Sequence, residues 1–365
     1  DNLQDGEMAV KAYNQAFSLD PQDLPSLIGL ALAYYRIKDW ERAFKYYQMV
    51  LVHRRDELDR EQTTETLYRL GIIRKEQGEN RKALNLFDKA LEEDPDHRPT
   101  MEALVGLYTE EGDFEQVIHF KKLVLEIAEN DQERFMLLEE IGDLWLNKLN
   151  NPAKAIEAFA EASDLQLENH RILHKLLILY QQTRQWAAAI EVISRIADLD
   201  HRPEAKAKYS YTIGVILRDE LKDPDSALEK FDQALDLDQS LLKSFESINK
   251  ILTQKKDWKG LERAFRKMLH RITGKGDEAL EFNLWHNLGV IYRDRQRSFD
   301  HAAEAFAMAS RMQPNNLQEH QILAEIYAAM PNRLDDAIEE HQTLIGFDPY
   351  RVESYRSLYK LYFDA

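Results

Sequence analysis

Four times along the chain the same spacing of small and aromatic residues returns. It is Ala83, Phe87 and Ala90, then Ala155, Phe159 and Ala162, then Ala227, Phe231 and Ala234, then Ala302, Phe306 and Ala309. A glycine stands ahead of each triplet, at Gly71, Gly142, Gly214 and Gly289. A second series falls between these: Tyr34 with Trp40, Tyr108 with Phe114, Tyr180 with Trp186 and Leu252 with Trp258, each pair six residues apart. The glycines recur every 71 to 75 residues and the second aromatics every 72 to 74, so units of about 35 residues and of two kinds alternate. A period of that length excludes one closed core, because each unit must bury its apolar face on its neighbours.

Each unit reads as two helices. Leu67, Leu70, Gly71 and Arg74 fall at steps of three and four, on one helical face, and Ala83, Phe87 and Ala90 do the same. Between them lies a short polar turn, Glu76-Gln77-Gly78-Glu79-Asn80. The second helix ends at Asp94-Pro95, and Asp20-Pro21 and Asp348-Pro349 close other units in the same way, since proline cannot continue a helix. Small residues at fixed offsets let two helices approach with no side chain holding them apart. Glycine and proline number only 13 and 10 in 365 residues, which suits a chain with little besides helix.

These residues resemble the tetratricopeptide repeat, whose pattern runs Trp-x2-Leu-Gly-x2-Tyr, Ala-x3-Phe, Ala, Pro. The fullest match is Trp285, Leu288, Gly289, Tyr292, Ala302, Phe306, Ala309 and Pro314. Departures are one extra residue in the turn before Ala155, Ala227 and Ala302, and a longer join over Arg54 to Thr63. The resemblance covers essentially the whole chain. It implies an all-α, right-handed superhelical solenoid of stacked antiparallel helix pairs, a single domain over 1–365. Its nine full repeats are expected at 24–63, 64–97, 98–134, 135–169, 170–206, 207–241, 242–281, 282–316 and 317–351. A lone second helix lies in 1–23 (Ala9, Tyr13, Ala16) and a lone first helix in 352–365 (Tyr355, Leu358, Tyr359, Tyr362). Neither end carries a polar capping helix, and the chain starts at Asp1, so a piece of a longer protein is the expectation. The series Trp40, Trp186 and Trp258 falls at the start of second helices, where packing between hairpins is expected.

Composition removes several functions. The net charge of −17 works against nucleic acid, whose phosphates are held by Lys and Arg. No apolar run approaches the ~20 residues of a membrane helix. Without cysteine there are no disulfides, thiolate metal sites or cysteine nucleophiles. That leaves the compartment open, with the cytoplasm favoured because no signal peptide is visible. His170 and His174 stand one turn apart, but a third metal ligand is lacking. Gly274-Lys275-Gly276 lacks the flanking pattern of a phosphate loop. Carboxylate pairs such as Glu139-Glu140 are numerous in a chain with 65 acidic residues, and none is marked as buried. No enzyme, cofactor or metal is expected.

The resemblance implies a non-catalytic scaffold whose concave groove, lined by first helices, holds protein or peptide partners. A regulatory module of a larger enzyme is the alternative, and an RNA-binding helical repeat a more remote one. Groove residues expected in the early units are Ile28, Leu32, Tyr35, Tyr68 and Ile72, followed by acidic Glu102, Glu110, Glu139 and Asp143. The later units offer Arg171, His174, Lys208, Tyr211, Arg218, Lys243, Lys250, His286 and Arg293. Two readings of this basic row stand side by side. It takes an acidic segment of a partner, or it pairs with neighbouring Glu and Asp and faces water. Some members of the family clamp a terminal carboxylate with a Lys and an Asn one turn apart. The matching pairs here are Tyr68 with Ile72, Glu139 with Asp143 and Tyr211 with Val215, which cannot form that clamp.

Overall fold

The computed structural model describes residues 2–274 and 276–364, with the backbone alone for residues 2–5 and 364. Among them are twenty α-helices and no strand. Lys275 of the Gly-Lys-Gly stretch lies outside the described residues. The chain divides after Thr183 into two compact units, and the division falls inside the repeat expected over 170–206.

The first unit holds α1 (Asn2–Leu19), then the pairs α2 (Leu24–Arg36) with α3 (Trp40–His53) and α4 (Arg60–Glu76) with α5 (Asn80–Glu93). They are followed by α6 (Arg98–Glu111) with α7 (Phe114–Glu126), α8 (Asp131–Asn147) with α9 (Pro152–Leu165), and α10 (His170–Gln182). The second unit opens with α11 (Trp186–Leu199) and pairs α12 (Pro203–Asp219) with α13 (Pro224–Leu237) and α14 (Leu242–Lys255) with α15 (Trp258–Ile272). Next come α16 (Glu278–Val290) with α17 (Phe299–Met312), α18 (Leu317–Ala328) with α19 (Leu334–Phe347), and α20 (Val352–Asp364).

The repeated glycine and phenylalanine meet across each pair. A methyl group on Gly71, Gly142, Gly214 or Gly289 would sit 2.5, 2.5, 2.7 or 2.8 Å from the ring of Phe87, Phe159, Phe231 or Phe306. All four rings are fully buried, as are the alanines of each triplet. The glycine therefore sets how closely the first helix lies on the second. Burial passes from pair to pair: in the second unit one apolar cluster runs from Ala227 to Leu361. Trp40, Phe114, Trp186 and Trp258 stand at the margin of the core, with Trp40 and Trp258 packed against its buried clusters. Each opens a second helix and is half-buried, Trp40 edge-on to the Tyr35 ring and Trp258 beneath the Arg295 guanidinium. At the far end, α20 leaves Tyr355, Tyr359, Tyr362 and Phe363 exposed.

The turns inside the pairs explain the extra residue. In the short form the residue before the helix cap takes a left-handed conformation and the cap N–H returns to the carbonyl five residues back. Asp39 donates to Tyr34, Glu79 to Arg74, Asp113 to Tyr108 and Asp257 to Leu252, at 2.9–3.0 Å. The left-handed positions are Lys38, Gly78, Gly112 and Lys256. In the long form the bond reaches six back, from Asn151 to Trp145, Asp223 to Leu217 and Ser298 to Tyr292, with Asn150, Lys222 and Arg297 left-handed. At the last of these the helix itself widens into a π turn over Ile291–Gln296. Most of the long join at 54–63 is also helix: a one-turn 3-10 segment over Arg55–Glu57 leads to α4, which begins at Arg60 and which Asp59 and Gln62 cap reciprocally.

Candidate functional site

The residues expected to line the groove lie on first helices, and within each unit side chains join several first helices to the next. In the first unit the Arg69 guanidinium of α4 lies 5.9 Å from the Tyr35 ring of α2, and Lys75 of α4 pairs with Glu110 of α6 at 3.0 Å. Arg98 of α6 pairs with Glu133 of α8 at 2.5 Å. Glu139 and Asp143 of α8 receive Arg171 and Lys175 of α10, with Lys175 Nζ 3.0 and 2.8 Å from them. Glu110, Glu139 and Asp143 of the middle stretch are thus held by bases of neighbouring helices, and Glu102 by Arg98 of its own helix.

The early aromatics are half-buried and occupied. Tyr35 packs on Trp40 and Tyr47, and burial pushes its hydroxyl up to about 12, so it stays neutral near pH 7. Tyr68 packs against Phe87 and His97. His174 of α10 is exposed, with no side-chain hydrogen bond or ion pair among the described residues.

In the second unit the basic row splits in two. Arg218 of α12 forks onto Asp219 with two bonds of 2.7 Å and reaches Ser247 of α14 at 3.1 Å. Arg293 forks onto Asp294 in the same manner. These guanidiniums hold the Asp219 and Asp294 carboxyls below the usual range. Arg218 and Arg293 also cover the rings of Phe231 and Phe306 at 5.6 and 5.7 Å. His286 Nδ1 is 2.7 Å from Oε1 of Glu319, a buried carboxylate on α18. Tyr211 is half-buried against Phe231. Arg218, Arg293 and His286 are therefore committed to their own chain, while Tyr211 keeps part of its ring exposed.

Lys208 on α12 and Lys243 and Lys250 on α14 are not. All three are exposed and make no side-chain hydrogen bond or ion pair among the described residues. The field of Lys250 reaches Asp219 and contributes to lowering it. Lys208, Tyr211 and Arg218 share one face of α12, and Lys243, Ser247 and Lys250 one face of α14. The Arg218–Ser247 bond sets those faces side by side.

The second helices carry features that the repeat phase did not suggest. Two clefts occur at equivalent places, one lined by α7, α8 and α9 and the other mainly by α15, α16 and α17. Among the described residues no group of three or more potential ligands is gathered as for a metal ion, and no helix is long and apolar enough to cross a membrane.

Two tetratricopeptide repeat family models match the chain, over residues 23–92 and 75–141. Among curated proteins, Protein CTR9 homolog of Arabidopsis thaliana is 24% identical over 176 residues, 47% of this chain and 16% of that protein. The match thus takes in under a fifth of that relative's length. Similar solved structures include a Naa15/Naa10 complex bound to HypK-THB, at 14% identity and TM-score 0.40, covering 98% of this chain and 63% of that one. Another is the C-terminal part of a TPR repeat-containing protein from Cytophaga hutchinsonii, at 13% identity and TM-score 0.39, covering 67% and 95%. A third is YrrB, described as a TPR protein with an unusual peptide-binding site, at 17% identity and TM-score 0.26, covering 66% and 98%. The family models mark tetratricopeptide repeats over residues 23–141, and the glycine-on-phenylalanine contact recurs in register as far as Phe306.

Proposed function

We propose that this chain is a non-catalytic scaffold that holds protein partners on the exposed face of its first helices, and that α12 and α14 take an acidic segment. Tetratricopeptide repeats are in general protein-interaction scaffolds. The observation that carries the reading is the contrast within one basic row. Arg218 and Arg293 are neutralised by Asp219 and Asp294, and His286 is hydrogen-bonded to Glu319, whereas Lys208, Lys243 and Lys250 are exposed and unpaired among the described residues, in a chain of net charge −17. Lysines free of internal partners attract carboxylates from outside, and half-buried Tyr211 beside them supplies a flat apolar contact.

The test is affinity capture with the wild-type chain and with the triple variant Lys208→Glu, Lys243→Glu and Lys250→Glu. Reversal adds six negative charges' worth of difference without removing an internal ion pair, so the fold is retained. Proteins with acidic segments are expected on the wild type and absent from the variant. Identical capture by both rejects the basic face as the site.

A further inference from the structure

The two clefts on the second-helix side share one plan and differ in charge. In the first unit the wall residues of α8 are Leu138, Ile141 and Trp145, and in the second unit their counterparts on α16 and its π turn are Trp285, Leu288 and Tyr292. Lys154, Glu157 and Ala158 of α9 answer to His301, Glu304 and Ala305 of α17. Even the contact between the two walls is kept: Lys154 lies 4.1 Å from the Trp145 ring, and the His301 ring stacks on Tyr292 at 5.2 Å.

The charges are not kept. The first cleft, of about 240 Å³, sets Lys122 and Lys154 against Glu126, Glu157 and Glu161. The second, of about 470 Å³, is lined by Arg266, Arg311 and Arg333 with one carboxylate, Glu304, while Glu262 and Asp336 pair with Arg266 and Arg333 from outside the lining. The packing plan does not require this change, since the same plan is built with the opposite balance in the first unit. Arg266 is engaged by the Tyr292 hydroxyl at 3.0 Å and by Glu262 at 3.4 Å, and Arg333 by Asp336. Arg311 is exposed and, among the described residues, has only the Met308 sulfur, at 3.7 Å, as a hydrogen-bond partner. The Trp285 indole N–H is buried with no acceptor among the described residues. Leu288, Ala305 and Ala307 give the cleft an apolar floor.

We propose that this second-unit cleft is a separate docking site for an acidic segment of a partner protein, an apolar residue of the segment entering between α15 and α17 while its carboxylates meet Arg311 and Arg266. A cationic rim around an apolar, aromatic-walled cleft of this size is complementary to such a segment. The site stands apart from the first-helix lysines and does not depend on them.

The test uses a fluorescein-labelled decapeptide of alternating Glu and Leu, titrated by anisotropy against the whole chain, with the alternating Lys and Leu peptide as control. The Glu–Leu peptide is expected to bind, and the Lys–Leu peptide is not. Arg266→Glu with Arg311→Glu is expected to weaken binding at least about tenfold, and the single change Arg311→Ala, which breaks no ion pair, about threefold. In the nitrogen-15 spectrum the indole resonance that Trp285→Phe removes is expected to shift on adding peptide, while that of Trp145 stays. Binding unchanged by Arg311→Ala and by the double reversal overturns the proposal. So does binding abolished by the triple lysine reversal but untouched by the arginine changes, or a shift confined to Trp145.

Discussion

At the scale of single residues, Gly142 sets two terms against each other. Alanine is the better helix former by about 1 kcal/mol, which favours Gly142→Ala. Its methyl group would lie 2.5 Å from a carbon of the fully buried Phe159 ring, and forced overpacking of that kind costs about 1–3 kcal/mol. The enclosed ring has no room to yield, so the second term wins and the thermal midpoint is expected to fall. Gly106 is the control. Only the Lys75 ammonium, at 3.5 Å, comes near the site of its added methyl, so Gly106→Ala is expected to raise the midpoint. A rise for both would show that the glycine-on-phenylalanine contact does not set the helix spacing. Lys256 offers the opposite case. It holds a left-handed conformation with φ 55°, at a position filled by Gly78 and Gly112 in other turns. Lys256→Gly relieves about 1 kcal/mol of backbone strain and is expected to shift the denaturant midpoint upward, a gain that entropy lost from the unfolded chain reduces. A lower midpoint contradicts this account of the turn.

Between elements, the second helices α13 and α15 are tied by one buried guanidinium. Arg271 is 8% exposed and donates to Asp232 at 2.6 Å and to Asp236 at 2.5 Å, with Lys267 on the same carboxylates. Burial alone would raise the Asp232 carboxyl, but its bonds to Lys267 and Arg271 outweigh that and hold it below its usual range. A folded pKa below the unfolded one adds stability that is whole above the unfolded value and fades as the pH falls through the folded one. Stability is therefore expected to hold down to about pH 4 and to decline below it. Asp232→Asn should flatten that decline while lowering stability at pH 7, as read by thermal melts across pH. An acid limb unchanged in the variant would remove Asp232 from the account. None of this tie was legible in the sequence. Asp232 and Asp236 lie 31 to 39 residues from Lys267 and Arg271, and all four look like any charges on a solvated face. The Ala-Phe-Ala spacing was legible because steric fit at a close contact restricts residue type. Ion pairs between stacked helices do not, since any register of Asp or Glu against Lys or Arg satisfies them.

For the molecule as a whole, the same difference decides what could be foreseen about the site. Repeat phase located the first-helix faces that carry Tyr35, Tyr68, His174, Lys208 and Lys243. It could not say which charges remain free, because pairing depends on the partner helix: Arg218 is consumed by its chain neighbour Asp219, and His286 by Glu319 of the next pair. The clefts beside Trp145 and Trp285 escaped notice because their walls are ordinary core positions and their rims come from several helices. The trace they leave is a change of charge between equivalent second-helix positions, as from Glu161 on α9 to Met308 on α17. The central claim rests on three lysines, and a zero-length carbodiimide cross-link between a captured partner and this chain tests it directly, because it joins only a lysine and a carboxylate already in contact. Cross-links from Lys208, Lys243 and Lys250 to acidic residues of the partner are the predicted result. Cross-links that avoid all three lysines, with the partner still bound, contradict it.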